Sequence, residues 1–147
     1  WVGAPLDALG VRLTFTALAV VMAQTFIAVP LFVRAAVIGF AAVEPELEDA
    51  AAIDGANGWQ VFRRISLPLA RRSLLTGVAL AWARALGEFG ATIIFAGNFP
   101  GRTQTMPLAI YLGFELDMGV AVALSVILVG VSFGVLLVIK VVLGRKS

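Results

Sequence analysis

The chain has 147 residues, of which 61% are hydrophobic and 14% are charged, with a mean hydropathy of +1.00 and a net charge of +2. Soluble domains contain fewer apolar and more charged residues, so this composition indicates an integral membrane protein. The sequence has no Cys and no His, which excludes disulfides, thiolate nucleophiles, zinc sites built from Cys and His, and imidazole acid–base catalysis.

The first apolar run begins at residue 13. A helix needs about 20 apolar residues to cross the roughly 30 Å hydrocarbon core of a bilayer. Residues 13–33 are uncharged over 21 positions and are therefore predicted to span the membrane. The apolar pattern resumes in residues 35–43, after Arg34. We expect a helix that kinks at Pro30 and continues into the interface.

Three further apolar runs follow in the second half of the chain. Residues 73–97 have the length of a span, although they contain Arg84 and Glu88. Residues 103–114 are uncharged over only 12 positions, which predicts a re-entrant or interfacial segment rather than a crossing. Residues 118–139 give 22 uncharged positions and predict a full span. The sequence therefore predicts three full spans and one shorter segment.

The distribution of basic residues predicts the orientation of these spans. With three spans, the polar loop of residues 44–72 and the C-terminus lie on the same side of the membrane. Seven basic residues lie on that side and two on the other: Arg63, Arg64, Arg71, Arg72, Lys140, Arg145 and Lys146 against Arg12 and Arg102. The positive-inside rule therefore places the loop and the C-terminus in the cytoplasm, with residues 98–101 and 115–117 facing outward.

The cytoplasmic loop is too polar to cross lipid and predicts two short helices with a break between them. Pro45 suits the first position of a helix, and the acidic residues after it complement the helix dipole. Gly55 and Gly58 can provide the C-terminal caps and the turn. Residues 59–65 predict a second, amphipathic helix, which residues 66–68, Ser-Leu-Pro, are expected to stop before the next span.

This loop is either an ordinary connection between helices or a docking element for a soluble partner, and its motif favours the second interpretation. The sequence Asp49-Ala50-Ala51, then Gly55, then Ile65-Ser66-Leu67-Pro68 is similar to the signature of ABC importer permeases. In that signature an acidic residue and two alanines precede a glycine, and Ile-x-Leu-Pro, in which x is unspecified, follows after a fixed gap. That family usually has Glu where this chain has Asp49, and Glu48 stands just before it. The resemblance implies that a set of loop residues couples the protein to an ATPase: Glu48, Asp49, Ala50, Ala51, Gly55, Ile65, Leu67 and Pro68.

A second resemblance concerns the substrate. Residues 84–92, Arg-Ala-Leu-Gly-Glu-Phe-Gly-Ala-Thr, and residues 97–111 resemble the molybdate/tungstate permeases, and the sulfate/thiosulfate permeases have a looser version. Family permeases have about two further N-terminal helices. Residues 1–147 are thus expected to form a single, N-terminally truncated permease domain, with residues 44–72 as its coupling loop. The implied fold is all-α, a polytopic membrane helix bundle of the type I ABC importer permease class.

The resemblance also implies a transport mechanism and a set of partners. Such permeases lie in the prokaryotic inner membrane, form a homodimer, and bind cytoplasmic ATPase subunits and an extracytoplasmic oxyanion-binding protein. ATP binding and hydrolysis by the partner drive alternating access. This chain has no glycine-rich phosphate loop, so we expect it to bind no ATP or other cofactor and not to be an enzyme. Its expected contacts include lipid but no nucleic acid.

Three alternatives remain open. The chain can be a permease for sulfate, thiosulfate or another oxyanion, or it can be a non-transporting membrane fragment. A membrane-embedded enzyme has little support, because the sequence lacks His and Cys and places no pair of carboxylates within a span.

Arg84 and Glu88 are the charged residues within a predicted span. Their spacing of four residues permits contact on a helix. A lone charge in the bilayer centre costs roughly 2.5–3.5 kcal/mol on insertion scales, so each needs a partner or water. The two residues are either a structural pair that neutralises itself, or part of the translocation path or of a contact with the second protomer. In either case we expect a weakly polar path rather than a tight anion site.

The predicted outer turn contains several hydrogen-bond donors and no carboxylate. It is either a solvated turn or an outer mouth that docks the binding protein and eases the oxyanion inward. The candidate residues of this mouth are Asn98, Arg102, Thr103, Gln104 and Thr105.

Overall fold

The computed structural model describes residues 14–144, with side chains as far as residue 141. Within this range the regular structure is entirely helical, which confirms the all-α expectation. The elements are α1 (Ala17–Ala41), α2 (Pro45–Ile53), α3 (Gly58–Val61), a π-helical turn (Phe62–Ser66), α4 (Leu67–Leu86), α5 (Gly90–Ala96), α6 (Met106–Leu116) and α7 (Met118–Gly144). Four positions used in the sequence-based predictions lie outside the described residues: Arg12, residue 13, Arg145 and Lys146.

Two of the described helices have the length and composition of membrane spans. These are the 25-residue α1 and, within α7, the 24-residue stretch Met118–Val141. The first continues through Pro30 to Ala41, so a single helix joins the two apolar runs that flank Arg34. The third apolar helix, α6, has only 11 residues and is too short to cross by itself, as expected for residues 103–114.

The third predicted span, residues 73–97, is not one straight helix. A helical path runs from Gly58 to Leu86, breaks, and resumes as α5 with its axis turned by 60°. At the break, the Glu88 N–H bonds to the carbonyl of Ala85, only three residues back, which tightens and ends the last turn of α4. Among the described residues, three spans are therefore present only if the two bent segments together count as one span.

The expected stop at Ser66-Leu-Pro68 is wrong. The helix that begins at Gly58 continues through the π-helical turn into α4, and Pro68 lies in the first turn of α4. In the turn, the Leu67 N–H donates to the Phe62 carbonyl, five residues back. This wider turn accommodates Pro68, which has no N–H and whose ring would clash with the carbonyl four residues back in a regular α-helix.

Contacts between Cα atoms divide the described chain into two units. One contains residues 14–28 and 82–135, and the other contains residues 29–81 and 136–144. Helices α1, α4 and α7 each contribute to both units. The predicted coupling loop therefore belongs to the second unit, and the predicted outer mouth belongs to the first.

In the unit of residues 29–81 and 136–144, α1 and α4 approach each other at small residues. A Cβ atom on Gly77 would lie 2.8 Å from the Ala35 Cβ and 3.2 Å from the Phe32 ring. A Cβ atom on Gly39 would lie 2.5 Å from the Ser73 Cβ. Both positions admit only the glycine hydrogen, so the two helices pack almost backbone to backbone.

In the unit of residues 14–28 and 82–135, α6 and α7 meet in a similar way. A Cβ atom on Gly113 would lie 3.0 Å from the Ala121 Cβ. Asp117 separates the two helices, and its Oδ1 accepts a hydrogen bond of 2.8 Å from the Gly119 N–H at the start of α7. This carboxylate therefore satisfies an otherwise unpaired N–H group of the first turn.

Candidate functional site

The predicted coupling loop presents α2 at its surface. Pro45 occupies the start of the helix, and none of its nine residues is buried. Ile53, the last residue of the helix, is 86% exposed. The helix ends at Ile53, and Gly55, two residues beyond this end, has φ +89°, while Gly58 begins α3. The sequence analysis expected Gly55 and Gly58 to share the capping and the turn, and of these two glycines Gly55 provides the left-handed cap.

A capping box fixes the start of α3. The Asn57 Oδ1 accepts a hydrogen bond of 3.0 Å from the Gln60 N–H, and the Gln60 Oε1 accepts one of 2.9 Å from the Asn57 N–H. The two bonds satisfy two backbone donors reciprocally. The sequence analysis missed this feature, although an Asn followed three positions later by Gln is a recognisable variant of the capping-box pattern.

The two acidic residues of the predicted coupling motif have different environments. The Asp49 side chain is exposed, whereas Glu48 is half-buried. The Glu48 Oε1 accepts a hydrogen bond of 2.6 Å from the Ser66 Oγ. Ser66, the unspecified position of the Ile-x-Leu-Pro motif, is only 6% exposed. The structure therefore brings Glu48 and the Ile-x-Leu-Pro segment together and leaves Asp49 at the surface.

The other predicted coupling residues differ in their exposure. Ala51 and Ile65 are half-buried, while Ala50, Leu67 and Pro68 are exposed. A shallow cleft of about 300 Å³ lies between the end of α2 and the helix that starts at Gly58. Its lining mixes small, apolar, polar and charged side chains, and consists of Ala51, Asp54, Gly55, Ala56, Gln60, Val61, Arg64 and Ile65. A cleft of this size with an acid and a base in its lining can receive a side chain of a docked protein.

An aromatic stack connects this region to α1. The ring of Phe62 lies 5.9 Å from that of Phe40 at an interplanar angle of 26°, and 5.6 Å from that of Trp59 at 28°. Offset stacks of this kind contribute about 0.5–1.5 kcal/mol beyond the area that they bury. The stack holds the start of the helical path against the end of α1, and the sequence analysis did not identify it.

The structure also brings Arg84 and Glu88 together. The Arg84 Nη1 lies 2.9 Å from the Glu88 Oε2, and the two side chains are 45% and 5% exposed, respectively. The Glu88 Oε1 accepts a second hydrogen bond of 2.8 Å from the Ala91 N–H, in the first turn of α5. One buried carboxylate thus bonds a group on each side of the helix break, and both bonds are charge-assisted.

The predicted outer-mouth residues mostly bond within their own turn. The Phe99 carbonyl accepts from the N–H groups of Arg102, Thr103 and Gln104, and the Phe99 N–H donates to the Thr103 Oγ1 over 3.2 Å. Thr103 is buried, and Arg102 is exposed. The predicted group of donors therefore forms a compact turn, in which the Arg102 side chain is the exposed charge.

Asn98 and Thr105 flank this turn and are partly buried. The Asn98 Nδ2 donates to the Leu108 carbonyl over 3.3 Å. The Asn98 Oδ1, the Thr105 Oγ1 and the Thr92 Oγ1 are buried without a hydrogen-bond partner among the described residues. Thr92 is the last residue of the 84–92 stretch and is fully buried within its unit.

Comparison of the sequence with known proteins gives relatives that are named for membrane transport. A family described as binding-protein-dependent transport system inner membrane component matches residues 6–143. The putative molybdenum transport system permease protein YvgM of Bacillus subtilis is 51% identical over 129 residues, which cover 86% of this chain and 56% of that protein. The molybdenum transport system permease protein ModB of Mycobacterium tuberculosis is 43% identical over 131 residues, which cover 89% of this chain and 50% of that protein.

A sulfate-named relative is also similar. The probable sulfate transport system permease protein cysT of Anthoceros angustus is 39% identical over 149 residues, which cover 100% of this chain and 52% of that protein. The chain spans about half the length of the curated relatives it matches. The identity is thus higher to these two molybdenum-named relatives than to the sulfate-named one.

Proposed function

The chain belongs to the family of binding-protein-dependent transport system inner membrane components, and on that premise we propose that it is part of the permease subunit of an ABC importer for molybdate or tungstate. The observation that supports this substrate is the 51% identity to a putative molybdenum permease, against 39% to a probable sulfate permease. In this proposal the permease forms a homodimer in the inner membrane, and an extracytoplasmic binding protein delivers the oxyanion.

We propose that α2 docks into a cytoplasmic ATPase subunit. The helix has no buried residue, and its alanines allow a partner to approach the backbone closely. A Cβ atom on Gly55 would meet nothing within 4 Å, so this end of the helix is open to a partner. The ATPase hydrolyses ATP, and the permease itself binds no cofactor and catalyses no reaction. Movement of the ATPase pair then drives the permease between its inward-facing and outward-facing states.

We propose that the Arg84–Glu88 pair gives the translocation path a weakly polar character. Glu88 is buried and neutralises much of the charge of Arg84, whose side chain is half-exposed. A fully unpaired arginine in low dielectric would attract a dianion strongly and slow its release. A paired arginine lowers the barrier for the anion without holding it. Substrate selectivity then resides mainly in the binding protein, and Arg102 offers the exposed positive charge at the outer mouth.

Uptake by the full-length protein tests the proposed function. The permease, its ATPase and its binding protein are reconstituted in proteoliposomes, and the ATP-dependent uptake of molybdate, tungstate and sulfate is measured at equal concentrations. We expect saturable uptake of molybdate and tungstate and much weaker uptake of sulfate. Preferential sulfate uptake would support the sulfate alternative. A complex that hydrolyses ATP and transports none of the three anions would support the non-transporting alternative.

A matched pair of glycine variants tests the docking step. Gly55→Leu places a side chain at φ +89°, which costs about 1–2 kcal/mol and distorts the end of α2. Gly58→Leu adds the same side chain, also in open space, at a glycine without a positive φ. We expect Gly55→Leu to insert into the membrane normally but to co-purify with much less ATPase than Gly58→Leu. Wild-type ATPase yield and transport in Gly55→Leu would contradict docking through α2.

A further inference from the structure

The hydrogen bond between Glu48 and Ser66 joins α2 directly to the residue that precedes α4. The donor and acceptor are 2.6 Å apart and are separated by 18 positions in the sequence. Between them lie the Gly55 cap, α3 and most of the π-helical turn. The bond therefore provides a short route from the docking surface to α4 that bypasses the intervening turn and short helix.

The chemistry of this bond makes it stronger than a typical surface contact. A hydroxyl group donates to a carboxylate at a distance in the range of charge-assisted O–H···O⁻ bonds. Ser66 is 6% exposed, so water competes poorly for its hydroxyl group. A buried donor that loses its partner also costs more than the bond itself contributes. Separation of α2 from α4 is thus resisted at this point.

Ser66 is well placed to pass a movement into the span. It is the last residue of the π-helical turn, and the next residue, Leu67, begins the 20-residue α4. Short π-helical turns of this kind occur frequently at functional sites. Phe62, the first residue of the same turn, is held against α1 by aromatic stacking. The start of the turn is therefore fixed in position. A pull on α2 then acts on α4 through Ser66.

We propose that Glu48 and Ser66 are a positioning pair that transmits movement of the docked ATPase from α2 to α4. This inference rests on the proposed function. The exposed Asp49 and Ala50 face the partner, while Glu48 faces inward and holds α4. Loss of the pair uncouples ATP hydrolysis from transport and leaves docking largely intact.

A coupling measurement distinguishes this role from a structural one. Ser66→Ala removes the donor, Ser66→Thr restores a hydroxyl group, and Ser132→Ala removes a hydroxyl group that only bonds the Leu128 carbonyl within α7. In proteoliposomes we expect Ser66→Ala to raise the number of ATP molecules hydrolysed per molybdate transported several-fold, with normal ATPase co-purification. Ser66→Thr is expected to restore most of the coupling, and Ser132→Ala to keep the wild-type ratio. An unchanged ratio in Ser66→Ala would overturn the proposal, as would loss of ATPase binding.

A second measurement does not depend on which anion is transported. Spin labels on cysteines at Ile53 in α2 and Val78 in α4, both exposed, report the distance between the two helices in the purified full-length permease. We expect a narrow distance distribution in the otherwise unaltered protein and in Ser132→Ala, and a broader one in Ser66→Ala. An equally narrow distribution in Ser66→Ala would refute the link even if transport were confirmed. A wild-type complex that transports no oxyanion, with the broadening still present, would refute the transport function and leave the link standing.

Discussion

Neutralisation of one member of the Arg84–Glu88 pair is expected to destabilise the protein more than neutralisation of both. The two single changes are also expected to differ. Arg84→Met leaves a carboxylate that is 5% exposed with the Ala91 N–H as its remaining partner. Removal of one member of a buried ion pair costs about 3–5 kcal/mol, and the burial of Glu88 places this variant near that range.

Glu88→Gln is expected to cost less than Arg84→Met. It leaves a charged Arg84, but this side chain is 45% exposed and can reach water or the headgroup region, so its cost lies below the roughly 2.5–3.5 kcal/mol of a fully buried charge. The glutamine can still accept the hydrogen bond from the Ala91 N–H, although a neutral acceptor contributes about 1 kcal/mol less. The double variant has neither charge and retains only the weakened hydrogen bond from the Ala91 N–H. We therefore expect a coupling energy of about 2 kcal/mol or more.

Reversible unfolding in mixed micelles measures these differences, with the four members of the cycle at one detergent composition. Arg102→Met is a useful control, because it removes an exposed arginine and is expected to change the unfolding free energy by less than about 0.5 kcal/mol. Additive losses in the cycle would show that Arg84 and Glu88 act separately. A larger loss in Glu88→Gln than in Arg84→Met would refute the argument from burial.

Two further predictions concern orientation and packing. In cells that lack the partner ATPase, a cysteine at Ile53 is expected to react with an impermeant thiol reagent only after the inner membrane is opened, and one at Pro100 in intact cells, since basic residues favour the side of α2. The reverse labelling pattern would overturn the topology. Gly39→Ala places a Cβ 2.5 Å from the Ser73 Cβ and is expected to lower the unfolding free energy by about 1–3 kcal/mol. A Cβ atom on Gly130 would meet nothing within 4 Å, so Gly130→Ala is not expected to lower the unfolding free energy. Equal losses in the two variants would contradict the packing argument.

The parts of the fold that depend on local composition were predictable from the sequence. Long uncharged runs identified α1 and α7, because span length and hydropathy are properties of contiguous residues. Pro45 and the glycine at 55 marked the two ends of α2, because each has a strong backbone preference at a helix terminus. The short apolar run that became α6 was also recognised as too short to cross by itself.

The parts that depend on distant partners or on competition at one position were not predictable in this way. The break after Leu86 lies inside a run of suitable length, and the Glu88 side chain bonds the Ala91 N–H on the far side of this break. Ser66-Leu-Pro68 was expected to stop the helix because proline disfavours a helix interior, whereas the π-helical turn before Pro68 lets the helix continue. Ser66 occupied an unspecified position of a motif, and its partner is 18 residues away, beyond the reach of any local pattern.

The π-helical turn at Phe62–Ser66 makes the loop sensitive to changes in its length. Each residue advances an α-helix by about 100°, and a π-helical turn accommodates one extra residue relative to a regular α-helix. Deletion of one residue here would let the path become regular, but it would rotate Ser66 away from Glu48 by about a quarter of a turn and return the Pro68 ring to a clash. Insertions and deletions between Gly55 and Leu67 are therefore expected to be far less tolerated than substitutions at the same positions. The orientation of Ser66 and the fit of the Pro68 ring depend on the number of residues in this segment as much as on their identity.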